Sequence, residues 1–455
     1  MPLSRDRILF RIQTISTPGT KRFIRKGVWG LADQALISAT NFTTMVLVAR
    51  VVSPAEFGLY SLAYTGLLFT NSIQSGLVVQ PHTVLGAKRS GTDYVAYTTD
   101  TGWFQYAFAL LTALVALCMA TAAAILDWWV APILFALVPA TAAWQLQDFV
   151  RRVLYTKSES SGAFLNDLVS YGGQLLTLLL LWRSGYLTPV NAVLALAATS
   201  AIGFLLGLWQ IRAHVDWSFN ATRIRTTMGI NWEFGKWLVG EKVAYWTASQ
   251  IYPVLAAGLV SVTATGVLRA AQTIIGPTNV FMFALDPLFG PKTAKLYASG
   301  GVPALRAFLT KLQLLVFLAM GTYCVTVAFL AEPILRHVYG SQYSQYSWVL
   351  VLVALISLAN TLRSPIRIGL KAMGETNAIF RAYLTSSVFN LTLGLAAVYL
   401  FGLKGVAAGM LLNALVLQIM MWRFHHKFFG GTVPIFLNMA RKRIPTSEKP
   451  EQRHA

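Results

Sequence analysis

Long apolar stretches alternate with short polar breaks along almost the whole chain. A bilayer core about 30 Å thick requires roughly 20 apolar residues in a helix, and twelve stretches approach that length. We therefore predict an all-α integral membrane protein with about twelve transmembrane helices. Their approximate limits are 27–51, 57–79, 102–126, 130–150, 164–182, 190–211, 237–259, 263–285, 308–330, 348–368, 379–400 and 405–422.

The composition supports this prediction. Of the 455 residues, 55% are hydrophobic and only 12% are charged, and the mean hydropathy is +0.56. A water-soluble domain of this size is far less apolar. The two cysteines, Cys118 and Cys324, both lie inside apolar stretches, so neither a disulfide framework nor a cysteine-rich metal site is expected.

The net charge of +20 could indicate binding to nucleic acid, because Lys and Arg neutralise phosphates. However, 29 of the 37 Lys and Arg residues fall in tails and loops on one side of the twelve-helix ladder. Membrane proteins keep such residues on the cytoplasmic side. We therefore predict that both termini are cytoplasmic and that no nucleic acid is bound.

The two halves of the chain are similar to each other. VVSPAEFGLYSLA at residues 51–63 aligns with LVSVTATGVLRAA at residues 259–271, an offset of 208, and a second pair of segments aligns at an offset of 216. Six helices per half is an even number, so the halves form parallel repeats about an axis along the membrane normal, with a central cavity between two lobes. The predicted segments are a basic cytoplasmic start (1–26), a first lobe (27–211), a cytoplasmic linker (212–236), a second lobe (237–422) and a basic cytoplasmic tail (423–455).

Several features together resemble the polysaccharide-transporter branch of the MATE-like MOP flippase superfamily. They are the basic start, the polar residues of the first span, the turn SPAEFGLYSLA and the segment TGVLRAAQTI. The turn carries the family pattern as Pro54, Glu56 and Gly58, whereas the second repeat keeps only Gly266.

This resemblance implies a flippase of the bacterial inner membrane that works by alternating access. It would move polyprenyl-diphosphate-linked oligosaccharides to the outer leaflet for O-antigen, capsule or exopolysaccharide synthesis. The implied partners are this substrate, membrane lipids, and the polymerase and glycosyltransferases of the same pathway.

Four cations that are not counted with the loops or tails lie inside the predicted spans, where an ionisable residue usually faces a cavity or a partner. Lys242 and Arg269 are predicted to bind the diphosphate, since an anionic headgroup needs cations along an apolar path; the alternative for Arg269 is an ion pair with Glu241. Arg363 and Arg367 are four residues apart and share one helix face. They could capture the headgroup from the cytoplasm or extend to lipid phosphates at the membrane surface.

Polar and aromatic side chains in the spans provide further candidates. Tyr245 and Trp246 could stack on sugars, although aromatic residues near span ends often anchor a helix at the interface. Asn41 could bond sugar hydroxyls, although helix-to-helix bonding is the alternative.

Two acids occupy equivalent depths in the two repeats. Asp33 aligns with Glu241 at the offset of 208, and a desolvated carboxylate can bind a proton or sodium ion during a transport cycle. One interpretation is that these acids couple transport to an ion gradient. The other is that they form structural pairs with Lys242, Arg269 or helix amides.

The sequence lacks the motifs of an enzyme. Its six histidines are scattered without the spacing of metal ligands, and no GxxxxGK[ST] loop is present. We therefore predict a transporter without cofactor or metal. The rival functions are a cation-coupled multidrug exporter of the same superfamily, which would favour acids in its cavity, and a membrane-embedded polysaccharide polymerase or ligase, which would need a larger outer loop than 332–347.

Overall fold

The computed structural model describes residues 18–429. The first seventeen residues of the predicted basic start and residues 430–455 of the predicted tail lie outside this range. Within it the chain is helical and forms no strand. The helices are α1 (Pro18–Val51), α2 (Pro54–Gln74), α3 (Gly91–Ile125), α4 (Ala131–Thr156), α5 (Ser160–Asp167), α6 (Gly173–Arg183), α7 (Pro189–Gln210), α8 (Ala221–Leu259), α9 (Val262–Phe329), α10 (Ala331–Tyr339), α11 (Ser347–Ala372), α12 (Thr376–Phe389) and α13 (Leu395–Phe429).

Some of these helices are joined and others are broken. Short π-helical turns join α5 to α6 and α12 to α13 and lengthen α2 beyond Gln74. Glycines with positive φ, Gly301 and Gly402, break α9 and α13 into two parts each. Divided in this way, residues 18–429 form twelve long helical rods and the short α10, in the order that the sequence predicts.

The all-α membrane architecture is thus confirmed. Seven helices in the described part of the chain are long and apolar enough to cross a membrane by length and composition. The count of twelve transmembrane spans stays a prediction.

The two repeats match in the positions where their helices begin and end. Helices α4 and α11 begin 216 residues apart and end 216 residues apart, and α5 and α12 also begin 216 residues apart. The turn that follows α4 contains Ser158 at φ +61°, and the turn that follows α11 contains Gly374 at φ +81°. The offset read from the sequence is therefore present in the backbone as well.

The outer hairpins of the repeats begin with the same cap. Ser53 precedes α2 and its Oγ accepts the backbone N–H of Glu56, while Ser261 precedes α9 and its Oγ accepts the N–H of Ala264. Glu56 bonds back to the Ser53 backbone N–H at 2.9 Å, which completes a capping box. We call this side of the bundle the outer end, in keeping with the predicted orientation, and the opposite side the inner end.

At the outer end the two lobes touch backbone to backbone. Gly58 of α2 lies against Val262, and its repeat equivalent Gly266 of α9 lies against Pro54; a Cβ at either glycine would overlap the facing carbonyl oxygen. Only glycine permits such a close approach. The outer ends of α2 and α9 are therefore held together in this structure.

Candidate functional site

A cavity of about 1090 Å³ lies between the two lobes. Helices α1 and α2 of the first lobe and α8, α9, α11, α12 and α13 of the second lobe line it. This volume is slightly larger than that of typical small-molecule pockets, which is about 300–1,000 Å³. The cavity therefore has room for more than a drug-sized ligand.

Three arginines line this cavity, and all come from the second lobe: Arg269, Arg363 and Arg367. Among the described lining residues there is no carboxylate. With a rise of 1.5 Å per residue, Arg269 lies about 10 Å along α9 from its outer end, whereas Arg363 lies about 24 Å along α11 from its outer end. The cavity thus contains one cation near the outer end and a pair towards the inner end.

Tyrosine rings surround the outer arginine. The guanidinium carbon of Arg269 lies 5.5 Å from the centre of the Tyr64 ring, and Tyr60 and Tyr339 also interact with its charge. A cation over an aromatic face is stabilised without being neutralised. Arg269 Nε has no hydrogen-bond partner among the described residues. An ion pair with Glu241, the alternative for Arg269, is absent from the ion pairs that the structure describes.

The inner pair stands beside two further tyrosines. Arg363 donates from Nη1 to the Ala414 carbonyl oxygen at 2.8 Å. Tyr245 and Tyr383 meet edge to face with ring centres 5.3 Å apart, and both line the cavity. Their hydroxyls and rings are suited to bind sugar, and the arginines are suited to bind phosphate oxygens.

The structure brings five of the seven predicted substrate residues to this cavity: Asn41, Tyr245, Arg269, Arg363 and Arg367. Trp246 and Lys242 are not among the lining residues. The Trp246 ring packs 4.8 Å from Phe69 of α2. Lys242 lies near Glu241 and near Arg152 of the first lobe, and its pairing with Arg269 around a diphosphate stays a prediction.

Asp33 lies inside the first lobe and not at the cavity. It is 1% exposed, and its carboxylate accepts hydrogen bonds from Arg151 Nη2, at 2.8 Å, and from the Tyr155 hydroxyl. Arg151 also contacts Asp167 at 2.5 Å and Asp148 at 3.5 Å. Asp33 is therefore paired, but with Arg151 and not with the partners that the sequence suggested, and Glu241 is exposed on α8.

The arginine cluster of the first lobe has a counterpart in the second lobe with different side chains. At the offset of 216, Arg151 corresponds to Arg367. The acids of α4 and α5 are replaced by a serine and a tyrosine, and a glutamine of α4 is replaced by a second arginine. The pairs are Gln147 and Arg363, Asp148 and Ser364, Arg151 and Arg367, and Asp167 and Tyr383. The same backbone frame therefore carries an ion-pair cluster in one lobe and a cationic cavity wall in the other.

Sequence reasoning missed the residues that complete the wall. Tyr64 contacts Arg269 and donates to Asn41 Oδ1 at 3.4 Å, and Tyr383 contacts Tyr245. The 216-residue offset could have identified Tyr383, because it is the equivalent of a buried acid. No local signal marked Tyr64.

The residues that the structure describes contain no cluster of His, Cys, Asp or Glu able to hold a metal ion. The site is thus built from cations, aromatic rings and neutral polar groups.

Comparisons with known proteins place this fold. Residues 47–348 match the family model described as "Polysaccharide biosynthesis protein", and no curated protein matches the sequence.

Three solved structures have similar folds. A multidrug resistance MATE family transporter of the MOP superfamily, in its inward-facing conformation, has a TM-score of 0.71 at 11% identity, covering 89% of this chain and 95% of that one. The lipid II flippase MurJ, in an inward closed conformation, has a TM-score of 0.69 at 16% identity, with 91% and 90% covered. A Pyrococcus furiosus MOP superfamily transporter, described as having a binding pocket of reverse polarity, has a TM-score of 0.60 at 13% identity, with 90% and 97% covered.

Proposed function

The chain belongs to the polysaccharide biosynthesis protein family and has the fold of MOP superfamily transporters, and from this premise we propose that it is a flippase for polyprenyl-diphosphate-linked oligosaccharides. It carries the glycan from the cytoplasmic to the outer leaflet of the bacterial inner membrane, with both termini in the cytoplasm. Movement of the two lobes against each other opens the cavity to each side in turn, while the polyprenyl tail stays in lipid.

The observation that carries this proposal is the cavity wall with three arginines and no carboxylate among its described residues. A cation desolvated inside a membrane protein costs at least about 3 kcal/mol on insertion scales unless a partner compensates. A diphosphate is the anionic part of the proposed substrate, so it supplies opposite charge to this wall and a partner to Arg269, whose Nε has none among the described residues. The tyrosines and amides that line the same space are suited to bind sugar hydroxyls.

A multidrug exporter of the same fold is the alternative, and the wall argues against it. Such exporters carry cationic compounds, which three arginines would repel. A polymerase or ligase is disfavoured because the fold is that of MOP superfamily transporters. The proposed partners are the glycosyltransferases that supply the substrate and the polymerase that consumes the product.

The experiment is reconstitution of the purified protein into vesicles with either a fluorescent polyprenyl-diphosphate glycan or a cationic dye. We expect glycan to cross in protein-containing vesicles and not in empty ones, and the dye not to be moved. Transport of the dye without the glycan would reject the flippase and favour the exporter.

We also propose Asp33 and Glu241 as candidates for coupling to an ion gradient, because the two acids occupy aligned positions of the repeats, 208 residues apart. The test is the flipping rate of Asp33→Asn and Glu241→Gln over a pH series. Rates and pH dependence unchanged in both variants would reject coupling at these residues.

A further inference from the structure

Residues 212–220 connect α7 to α8 and form the start of the predicted linker between the lobes. In the structure this segment is attached to the inner end of the first lobe. His214 Nε2 lies 2.9 Å from Glu159 Oε1 in the turn that follows α4, and the Asp216 backbone N–H donates to Thr99 Oγ1 of α3 at 3.0 Å. The segment is therefore part of the surface of the first lobe.

The start of α8 holds the other end of the segment. Asn220 caps this helix by accepting the Arg223 backbone N–H at 3.0 Å. Arg223 Nε lies 2.8 Å and 2.9 Å from the two carboxylate oxygens of the buried Asp100, and Arg223 Nη2 donates to Ser218 Oγ at 2.8 Å. The rest of the predicted linker, residues 221–236, is helical and continuous with α8.

Two aromatic side chains of the segment remain largely exposed despite these attachments. Trp217 is 55% exposed and Phe219 is 69% exposed. Trp217 has a φ of +57°, in the left-handed region that is unfavourable for a bulky residue. Such strain persists only where surrounding contacts fix the backbone, and it is common at functional surfaces. An exposed tryptophan in a strained backbone is unexpected for a loop that only connects two lobes.

Trp103 and Trp209 mark the inner edge of the membrane beside the segment. A bilayer core about 30 Å thick corresponds to about 20 residues of helix. Helix α7 starts at the outer end with Pro189, and the same length of helix leads to Trp209. Counted back from the outer end of α3 at Ile125, it leads close to Trp103. Tryptophan is enriched at this boundary between lipid and water.

The segment continues the lipid-facing surface of the first lobe. Each of the two helices carries exposed apolar residues on one face, which ends at its tryptophan: Tyr106, Leu110 and Leu114 on α3, and Leu194, Ile202 and Leu205 on α7. The Trp103 ring meets the Phe219 ring edge to face with centres 5.4 Å apart, and Trp103 Nε1 donates to the Ser218 carbonyl oxygen at 3.0 Å. The aromatic side chains of the segment therefore lie at the depth where lipid headgroups begin.

Arg212 adds a positive charge beside these rings. Its guanidinium carbon lies 4.4 Å from the centre of the Trp209 ring, and its Nη1 donates to the Trp209 carbonyl oxygen at 2.8 Å. Arg212 is exposed and forms none of the ion pairs that the structure describes. The one acid of the segment, Asp216, accepts the backbone N–H and the hydroxyl of Ser218. Arg212 therefore keeps donors for an anionic ligand.

We propose that an anionic phospholipid binds to the interface patch, which we define as Trp103, Trp209, Arg212, Trp217 and Phe219. The rings pack against the glycerol and the first part of the acyl chains, and Arg212 bonds to the headgroup phosphate. The lipid belongs to the leaflet at the inner end, which is the cytoplasmic leaflet in the proposed orientation. This inference goes beyond the proposed function and does not depend on the glycan.

Fluorescence quenching in vesicles tests whether the interface patch contacts lipid. In a Cys118→Ala, Cys324→Ala background, Phe219→Cys carries a nitrobenzoxadiazole fluorophore, and the lipid carries a nitroxide close to the headgroup. The matched sites are Tyr106→Cys on the lipid-facing side of α3 and Asp93→Cys at its inner start, where the Asp93 side chain is 71% exposed. We expect quenching at residue 219 to be close to that at 106 and several-fold stronger than at 93. Quenching at 219 as weak as that at 93 would overturn the proposal.

The same fluorophore at residue 219 tests the preference for an anionic headgroup. In one mixture of phosphatidylglycerol and phosphatidylcholine, the nitroxide is placed on either lipid, and labelled phosphatidylglycerol should quench more strongly. Arg212→Gln should lower this preference about five-fold, which corresponds to about 1 kcal/mol for one cation near an anionic membrane surface. Arg381→Gln, which removes an exposed cation of the second lobe, is the control and should keep the preference. Equal quenching by the two lipids, or a preference that Arg212→Gln leaves unchanged, would overturn the proposal.

Discussion

Arg151 and Arg367 occupy equivalent positions of the two repeats, 216 residues apart, in opposite surroundings. Arg151 is buried and contacts three carboxylates of its own lobe, whereas Arg367 lines the cavity between the lobes. Two of these acids, Asp148 and Asp167, correspond to Ser364 and Tyr383 in the second repeat. One repeat therefore pairs its arginine with acids inside the lobe, and the other places its arginine at the wall of the cavity.

The inner arginine pair should be needed for transport. We expect Arg363→Ala with Arg367→Ala to lower the initial flipping rate at least ten-fold, because each hydrogen bond to a charged group contributes about 1.5–3 kcal/mol. The measurement is the rate of glycan crossing in vesicles. Arg381→Ala, which removes an exposed cation of α12, is the control and should leave the rate unchanged; a double variant that also keeps its rate would contradict the assignment.

The cluster around Arg151 should be needed for stability. Arg151→Gln leaves buried carboxylates uncompensated, at a cost of about 3–5 kcal/mol, so the thermal midpoint in detergent should fall sharply. Arg152→Gln is the matched control, since the Arg152 side chain is 42% exposed and its bond to Asp148 is worth less than about 1 kcal/mol. Equal shifts for the two variants would be inconsistent with this role.

Much of the fold could be predicted because the length of the apolar stretches and the similarity of the two halves can be read directly from the sequence. The starts and ends of α4 and α11 follow the 216-residue offset that the sequence shows. The cations within the spans could be identified by placing each Lys and Arg relative to the predicted helices. The continuation of α8 through residues 221–236 was missed because that stretch is polar, and its helix is stabilised by bonds to α3 that are distant in sequence.

The direction of side chains in the spans could not be read from sequence. In a soluble helix the polar face marks the outside, but lipid and protein interior are both apolar, so the pattern does not distinguish them. The sequence therefore offers Tyr245 and Trp246 alike as candidates for stacking on sugars, whereas in the structure Tyr245 lines the cavity and Trp246 packs against Phe69 of α2. The partner of Asp33 was missed for a similar reason, since Arg151 is 118 residues away and belongs to a different helix.

The outer glycine contact should control access to the cavity. Gly58→Val would place a side chain where the Val262 carbonyl oxygen lies, so the outer ends of α2 and α9 should separate. We expect an impermeant maleimide added outside to label Ser249→Cys, a cavity residue, faster in this variant. Gly66→Val on the same helix has nothing within 4 Å of its Cβ position and should not change labelling; equal rates in both variants would exclude a gate at Gly58.

His82 should make the fold sensitive to acid. It lies beyond the inner end of the predicted second span, is fully buried, and stacks on Tyr97 with Nε2 3.1 Å from Thr98 Oγ1. Burial, followed by the charges of Lys157 and Arg89, lowers the pKa of His82 to about 3. The unfolded chain, with a His pKa near 6.5, therefore binds a proton that the folded chain excludes, and stability falls as the pH drops below about 6.5.

Between pH 6.5 and 5 this effect amounts to about 2 kcal/mol. His82→Gln should lose less stability than the wild-type protein when the thermal midpoint in detergent is measured at pH 7 and pH 5. His337→Gln, which removes an exposed histidine of α10, should behave as wild type. A wild-type pH dependence retained by His82→Gln would show that other groups cause it.

The most direct test of the account is the flipping rate of Arg269→Ala for a labelled polyprenyl-diphosphate glycan in vesicles of matched protein content. Arg269 is the cavity cation that the second repeat adds where the first has Ser61, so its loss should lower the rate at least ten-fold, and Arg269→Lys should restore part of it. Arg269→Ala with the full wild-type rate would contradict the claim that cavity cations carry the diphosphate across the membrane.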